Sequence, residues 1–331
     1  MEADRKALRK KLKEAGLSDP LIDAAWPTWW SDEAFASQSA RAELRFTIAR
    51  KLGLNPKSLF HDEVEFVWKD EARFKHLSNE TDAEKAALTS YGISVGRMLL
   101  RATKGAPTPG TFGALELRES ILQHAPFVDL QSLLATCWAI GLPVVHIRVF
   151  PLEAKRMAAM AVWAAGGHAI LLGRDAQYPA PVAFTLAHEI GHIMLGHISS
   201  SSAIIDIGDP FGPSYGDGEE AEADRFALEL LLGTSKPDIQ TNVERFNARQ
   251  LAQAVLTYGP HHGVEPGTLA LCLAHATDLW PVANAAMRYI YTQAKPVWHE
   301  VNGVAESELD FSALADDQAE YLRNIMGVAN G

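Results

Sequence analysis

Cysteine is scarce in this sequence, with two residues in a chain of 331. A framework of disulfide bonds is therefore excluded as the main source of stability, and a reducing compartment is expected. Cys137 and Cys272 both lie in apolar helical patterns. A cysteine in that setting usually packs as a small hydrophobic side chain, so we expect both to be structural.

Long hydrophobic runs are also missing. No apolar stretch reaches the roughly 18 residues that a helix needs to span a bilayer, and the first residues form a charged amphipathic stretch instead of a signal peptide. We therefore expect a cytoplasmic protein without a membrane partner. The motifs GxGxxG, GxxxxGK(S/T) and CxxC are absent as well, which leaves dinucleotide, P-loop and thiol redox chemistry without support.

Negative charge dominates most of the chain. Residues 105–331 carry 12 Lys and Arg against 25 Asp and Glu, whereas residues 1–104 carry 18 against 16. The net charges are therefore −13 and +2. Because the acidic part is a poor electrostatic match for nucleic acid, we expect any DNA contact to fall within the first 104 residues.

Residues 40–60 predict two helices around a turn, which resembles a phage-repressor-type helix-turn-helix. Ala49, Gly53, Leu54 and Asn55 supply the small residue, the turn glycine and the cap that such a motif needs. Three acids follow where a recognition helix would meet phosphate, namely Asp62, Glu63 and Glu65. The alternative is a small helical domain that binds protein or regulates the rest of the chain.

The sequence His188-Glu189-Ile190-Gly191-His192 points to metal chemistry. On a helix of 3.6 residues per turn, His188 and His192 lie on one face, close enough to share a tetrahedral zinc ion. Zinc would lower the pKa of a bound water to about 7. Glu189 would then take the proton as that water attacks an amide carbonyl.

A catalytic zinc ion needs a third protein ligand, and a second predicted helix over residues 219–232 supplies acids in its first turn. Glu220 can complete a site of two histidines and one glutamate. Asp224, one turn later, can accept the remaining N–H of a ligand histidine and fix its tautomer. Glu219 and Glu222 are fallback ligands, and the alternative is a solvated turn favoured by the helix dipole.

The segments from Phe184 to His197 and from Glu220 to Ala227 resemble the ImmA/IrrE family of zinc metallo-endopeptidases, and the resemblance extends over about residues 112–280. It implies a zincin-like core and a regulatory protease with few substrates, since several members cleave or inactivate a transcriptional repressor. The family usually has Asn where this chain has Asp224, a change that keeps a hydrogen-bond acceptor.

We expect an α+β fold with a zincin-like metalloprotease core, in which a small mixed sheet packs against the HExxH helix. The predicted core elements are helices at 114–124 and 129–140 and strands at 143–150, 157–163 and 167–173. A linker at 104–110, rich in glycine and proline, marks a boundary. The predicted units are a helical domain at 1–104, the metallopeptidase domain at 112–280 and a helical extension at 281–331.

Features around the active-site helix give further expectations. By analogy with zincins, strand 167–173 would be a sheet edge that pairs with an extended substrate peptide. Residues 199–218 could form a flap or a plain surface loop. His197 is predicted to point away from the metal face and to be structural. Three residues are candidate donors to the oxyanion, namely Tyr178, Tyr215 and His197.

The sequence therefore predicts a cytoplasmic zinc-dependent endopeptidase. Glu189 would be its catalytic residue, and His188, His192 and Glu220 would hold Zn²⁺, with Asp224 behind them. Its partner would be a protein substrate, a transcriptional repressor. Two alternatives remain open: a zinc-containing DNA-binding or adaptor regulator without turnover, and a zinc hydrolase that acts on a small amide.

Overall fold

The computed structural model describes the chain except for residues 1, 32, 62, 70–71, 76–80, 106–110, 154–156, 199–202, 207–217, 241–244 and 329–331. The described residues form thirteen α-helices and five strands. The helices are α1 Glu2–Glu14, α2 Asp19–Ala25, α3 Gln38–Leu52, α4 Asp82–Ala102, α5 Ala114–Leu122, α6 Leu130–Ala139, α7 Pro179–Met194, α8 Gly218–Leu232, α9 Ala248–His261, α10 Pro266–Thr277, α11 Trp280–Ile290, α12 Trp298–Glu308 and α13 Asp316–Met326. The strands are β1 Ala72–Lys75, β2 Val144–His146, β3 Ala159–Ala164, β4 Gly167–Leu172 and β5 Ala203–Asp206.

The strands form one mixed sheet in the order β1-β5-β3-β4-β2. β3 is antiparallel to both β4 and β5, while β2 runs parallel to β4 and β1 runs parallel to β5. The α+β class and the small mixed sheet are thus confirmed. β4 lies inside the sheet between β3 and β2. The prediction that this strand is the edge for a substrate peptide is therefore wrong.

The outer edge of β2 is occupied by a side chain from α12. The Asn302 side-chain oxygen accepts from the His146 backbone N–H at 2.7 Å, and its amide donates to the His146 carbonyl at 2.8 Å and to the Met326 carbonyl at 2.7 Å. Asn302 is fully buried. One amide side chain thus satisfies backbone groups that would otherwise pair with a further strand.

Side chains alternate between the two faces of the sheet, as the period of two requires. Residues of one face belong to a core that includes α4, and those of the other face belong to a core that includes α7. The α4 face carries Met160, Val162, Leu171 and Ile205. The α7 face carries Ala159, Ala161, Ile170 and Ile204.

α4 approaches the sheet through two glycines. A Cβ added at Gly92 would lie 1.9 Å from Sδ of Met160, and one added at Gly96 would lie 2.6 Å from Cγ2 of Val162. The helix can therefore pack this closely only because both positions lack a side chain. α1, α2, α3 and α13 contribute to the same core.

α7 packs on the opposite face, where the central strand β3 presents alanines. α5, α6 and α8 share this core. The predicted helices at 114–124 and 129–140 are confirmed as α5 and α6, and the predicted strands at 157–163 and 167–173 are confirmed as β3 and β4. The strand predicted at 143–150 is shorter, because the chain leaves the sheet after His146.

Two further helices, α9 and α10, are joined by a turn at residues 262–265. α9 and α10 pack with α11 in a third core, which reaches the start of α7 through Ala180. None of the helices within the described ranges is long and apolar enough to cross a bilayer.

The second helix of the predicted helix-turn-helix is wrong. α3 ends at Gly53 in the left-handed conformation, with φ of 69°. The chain then turns back: Leu54 bridges Phe66, and residues 58–60 form a single 3-10 turn. Local side-chain bonds close this loop, because Ser58 Oγ donates to the Asn55 carbonyl and accepts from the Glu65 backbone N–H.

Two short strands were not predicted. β1 lies in the part predicted to be helical, and β5 lies within the segment predicted to be a flap or loop. The remainder of that segment, 199–202 and 207–217, is outside the described residues. The boundary in the linker at 104–110 stays a prediction, because 106–110 are not described either. The core on the α4 face contains residues from both ends of the chain, at 8–102 and 305–326.

Candidate metal centre

α7 carries both histidines of the HExxH sequence in the interior of the protein. Pro179 occupies the first turn of α7, where its missing N–H costs no hydrogen bond. The helix lies between the sheet and α8, so that every residue from Val182 to Met194 is buried. His188 and His192 are one turn apart on the side that faces α8, and their Nε2 atoms lie 2.9 Å from each other.

Glu220, in the first turn of α8, completes the group. Its Oε2 lies 3.3 Å from Nε2 of His188, and its Oε1 lies 3.3 Å from Nε2 of His192. Bonds of about 2.0–2.1 Å at a tetrahedral angle would separate neighbouring ligand atoms by about 3.3 Å. All three side chains are buried, and one ligand atom from each lies within 4.8 Å of the others. These residues can therefore hold one metal ion.

A close contact between the two helices brings these residues together. A Cβ added at Gly191 would lie 3.1 Å from Cβ of Phe226 and 3.2 Å from the Cα and carbonyl oxygen of Ala223. Gly191 on α7 and Ala223 on α8 thus let the backbones approach directly beside the histidines. One of the two middle positions of HExxH, Gly191, therefore takes part in the geometry.

Asp224 lies one turn after Glu220 and contacts the other nitrogen of His188. The distance from Asp224 Oδ1 to His188 Nδ1 is 2.8 Å. Because a carboxylate can only accept, Nδ1 carries the proton and Nε2 keeps its lone pair for a metal. The structure thus places Asp224 where the sequence predicted it, and its role in metal binding stays a proposal.

His192 contacts a different partner. α7 ends in a Schellman motif, in which Gly196 is left-handed with φ of 74°. The His197 N–H donates to the His192 carbonyl at 3.0 Å, and the Gly196 N–H donates to the Ile193 carbonyl at 3.1 Å. This reversal returns the ring of His197 to His192, and their Nδ1 atoms are 2.8 Å apart. His197 Nε2 lies 3.1 Å from Oε2 of Glu222.

The expectation that His197 points away from the metal side is wrong. It assumed that the helical rotation continues past His192, whereas the left-handed residue Gly196 reverses the chain. A glycine at this position is the usual signal for such a reversal. Gly196 in the sequence is therefore the signal from which the return of His197 toward His192 could have been predicted.

Glu189 follows the first histidine and is fully buried. Of the predicted oxyanion donors, Tyr178 precedes α7 and stacks on Tyr291 with ring centroids 5.4 Å apart. It lies ten residues before His188, about 15 Å along the helix axis at 1.5 Å per residue. This distance argues against Tyr178 as a donor. Tyr215 is outside the described residues.

Two histidines of the sheet, His146 in β2 and His168 in β4, are not part of this group. Both ring nitrogens of His146 face carbonyl oxygens, those of Ile147 and Arg174. Burial lowers the pKa of His146 below its ordinary value. The ring of His168 lies edge-on to Trp163, and burial lowers the pKa of His168 to about 4. Within the described part of the chain, the group around His188 is the one cluster suited to a metal.

The donor set fits zinc. Two imidazole nitrogens and one carboxylate are the ligands of several catalytic zinc sites, in which the fourth position is left to water or substrate. The second nitrogens of both histidines are hydrogen-bonded, as is usual for metal ligands. Imidazole also suits other divalent metals, so these residues establish a metal-binding geometry and favour zinc.

Comparison with known proteins adds an independent result. The model of the family described as Peptidase_M78, IrrE N-terminal-like domain, matches residues 144–254. A comparison with curated proteins gives no match. The matched segment runs from β2 into α9 and includes the whole group around His188. Residues 144–254 are therefore similar to the IrrE N-terminal-like domain, which confirms the resemblance to the ImmA/IrrE family over this segment and indicates a metallopeptidase.

Proposed function

We propose that the protein is a cytoplasmic zinc-dependent endopeptidase that cleaves a regulatory partner protein, a transcriptional repressor. One observation carries the enzymatic part of this proposal. The ligand atoms of His188, His192 and Glu220 converge on one point, and Glu189, the next residue after His188 on the same helix, is fully buried. A metal site with a neighbouring carboxylate is the arrangement that amide hydrolysis requires.

Each residue has a specific part in the proposed reaction. Zinc held by the two histidines and Glu220 would act as a Lewis acid toward the scissile carbonyl. The Glu189 carboxylate would accept a proton from the attacking water and deliver it to the nitrogen of the leaving amine. Asp224 would hold the Nδ1 proton of His188, so that the Nε2 lone pair stays directed at the metal.

The choice of a protein substrate rests on the family similarity, which indicates a peptidase. A narrow substrate range fits an enzyme in a compartment full of other proteins. The DNA-binding alternative has lost the element on which it depended, because the predicted recognition helix is a 3-10 turn at residues 58–60. We therefore place the partner among proteins.

The test compares the wild type with Glu189→Gln and His188→Ala in two measurements. The first is the metal-to-protein ratio after purification. We expect about one zinc ion per chain in the wild type and in Glu189→Gln, and a strong loss in His188→Ala. The second is a proteome-wide search for new protein N-termini in a lysate of the source cells, incubated with each purified variant.

We expect one or a few new N-termini with the wild type alone. Removal of a general base typically lowers a rate by about 10² to 10⁴-fold, so Glu189→Gln should give none within the same time. New N-termini at equal abundance with the wild type and Glu189→Gln would contradict the role of Glu189. A metal-loaded wild type that cleaves no protein would overturn the peptidase proposal.

A further inference from the structure

The two ligand histidines are supported in different ways. His188 contacts a carboxylate directly, since its Nδ1 lies 2.8 Å from Asp224. His192 contacts another imidazole instead, since its Nδ1 lies 2.8 Å from Nδ1 of His197. His197 in turn contacts a carboxylate, since its Nε2 lies 3.1 Å from Oε2 of Glu222.

The hydrogen-bonding rules fix the direction of this chain. The carboxylate of Glu222 can only accept, so Nε2 of His197 is the donor. A neutral imidazole has one N–H, and Nδ1 of His197 is therefore an acceptor. It can accept only if His192 carries its proton on Nδ1, which leaves the Nε2 lone pair of His192 for the metal. Glu222 thus sets the tautomer of His192 through His197.

The position of His197 is well defined by its surroundings. Its backbone N–H is held by the Schellman motif that ends α7, and its side chain is 7% exposed. Glu222 lies at the surface, with half of its side chain exposed. Both supporting carboxylates, Asp224 and Glu222, belong to α8, the helix that also supplies Glu220.

We propose that His197 is a positioning residue for the metal centre, which holds His192 in the tautomer that can bind metal and is itself oriented by Glu222. This inference rests on the proposed function, because it needs a metal at the site. It makes α8 the source of support for both histidines, directly for His188 and through His197 for His192.

The experiment measures metal affinity by competition with a chromogenic zinc chelator. His197→Phe keeps a buried ring but removes the acceptor, and we expect zinc binding about 10 to 100-fold weaker. His197→Asn places an amide oxygen near the position of Nδ1, and we expect affinity close to that of the wild type. Asp224→Ala gives the benchmark for loss of a direct carboxylate, and Glu229→Ala on the same helix is the control.

Spectra of the cobalt-substituted proteins give a second readout. We expect His197→Phe to change the visible absorption bands of the bound ion, which report its ligand geometry, and His197→Asn to retain them. A merely structural role predicts that Phe, the larger ring, preserves the site better than Asn. The proposal is overturned if His197→Phe binds zinc as the wild type does, or if Asn is as weak as Phe.

Glu222→Ala keeps the test decisive if His197→Phe does not fold, because Glu222 is half exposed and its removal leaves no cavity. We expect a loss of zinc affinity larger than that of Glu229→Ala and smaller than that of His197→Phe. Equal affinities of Glu222→Ala and Glu229→Ala would overturn the proposal. A wild-type protein that takes up no metal would instead contradict the proposed function.

Discussion

The two faces of the sheet solve the same packing problem in opposite ways. On the α4 face the strand contributes bulk, with Met160 and Val162, and the helix contributes glycines. On the α7 face the central strand contributes Ala159 and Ala161, and the helix contributes the larger side chains. On each face, large side chains of one element thus pack against glycines or alanines of the other, which keeps the interior close-packed.

The close contacts of α4 and α7 have different consequences, one for the stability of the fold and the other for the candidate metal site. α4 uses its close approach to bury its own backbone against the sheet. α7 makes its close approach on its other side, where Gly191 meets Ala223 of α8 and where the candidate metal ligands lie. We infer that a side chain added on the α4 face should affect folding alone, whereas one added at the α7–α8 contact should affect the metal.

The largest effect is expected from Gly96→Val. Its Cβ alone would lie 2.6 Å from Cγ2 of Val162, and the branched valine has few other rotamers in a packed strand. Overpacking of this kind costs about 1–3 kcal/mol, and we expect the upper end. Urea denaturation with chelator present measures the change. The metal-to-protein ratio of the folded variant should equal that of the wild type.

A double variant sharpens this test. Gly96→Ala with Val162→Ala adds one methyl group on the helix and removes two from the strand that it would meet, so the pair should be more stable than the sum of the single changes indicates. Additive free energies of unfolding would show that the two residues do not share one contact. A loss of metal in Gly96→Val would break the proposed separation of the two faces.

A smaller effect is expected from Gly191→Ala. Alanine favours a helix by about 1 kcal/mol over glycine, which should offset much of the strain from contacts at 3.1–3.2 Å. The free energy of unfolding should therefore change little, while α7 and α8 separate slightly and zinc affinity falls about 10-fold, as for loss of a supporting contact. Chelator competition measures this fall. Unchanged affinity would show that the glycine is not needed for the site.

The smallest effect concerns His168, a histidine on the α7 face without a carboxylate partner among the described residues. Burial lowers the pKa of His168 to about 4, from an ordinary value of 6.5. As the pH falls from about 6.5 to about 4, the unfolded chain takes up a proton that the folded chain refuses, and stability is lost in that window. His168→Phe removes this loss.

We expect the stability of His168→Phe relative to the wild type to rise by roughly 1 kcal/mol between pH 6.5 and pH 4, after allowance for partial exposure of the ring. Urea denaturation of both metal-free proteins at several pH values measures the difference, so that the ligand histidines contribute equally to each. A difference that does not change with pH would show that the pKa of His168 is the same in the folded and the unfolded chain.

The sequence predicted those parts of the molecule whose geometry is local. His188 and His192 meet because four residues make about one turn. The strands β3 and β4 were recognisable because each has six residues and they form a hairpin. The family resemblance supplied the pairing of this helix with α8, which no local rule contains.

What the sequence did not predict depends on distant contacts. β1 and β5 have four residues each, too few to show a period, and they pair with each other across about 130 residues of chain. β4 is an interior strand because β2 pairs with the edge that β3 leaves open. The residues of β4 alone do not show this pairing. The loop after α3 is set by the bridge between Leu54 and Phe66, which overrides the helical pattern of residues 57–60.

The amide of Asn302 has a consequence for the width of the sheet. The outer edge of a strand carries backbone N–H and C=O groups that can pair with a further strand. The number of strands in a sheet is therefore limited where other groups satisfy these hydrogen bonds. At β2 the stop is one side chain of α12, which also binds the Met326 carbonyl of α13. α12 and α13 therefore prevent the addition of a further strand beside β2. The sheet ends at β2 because these two helices pack against its outer edge.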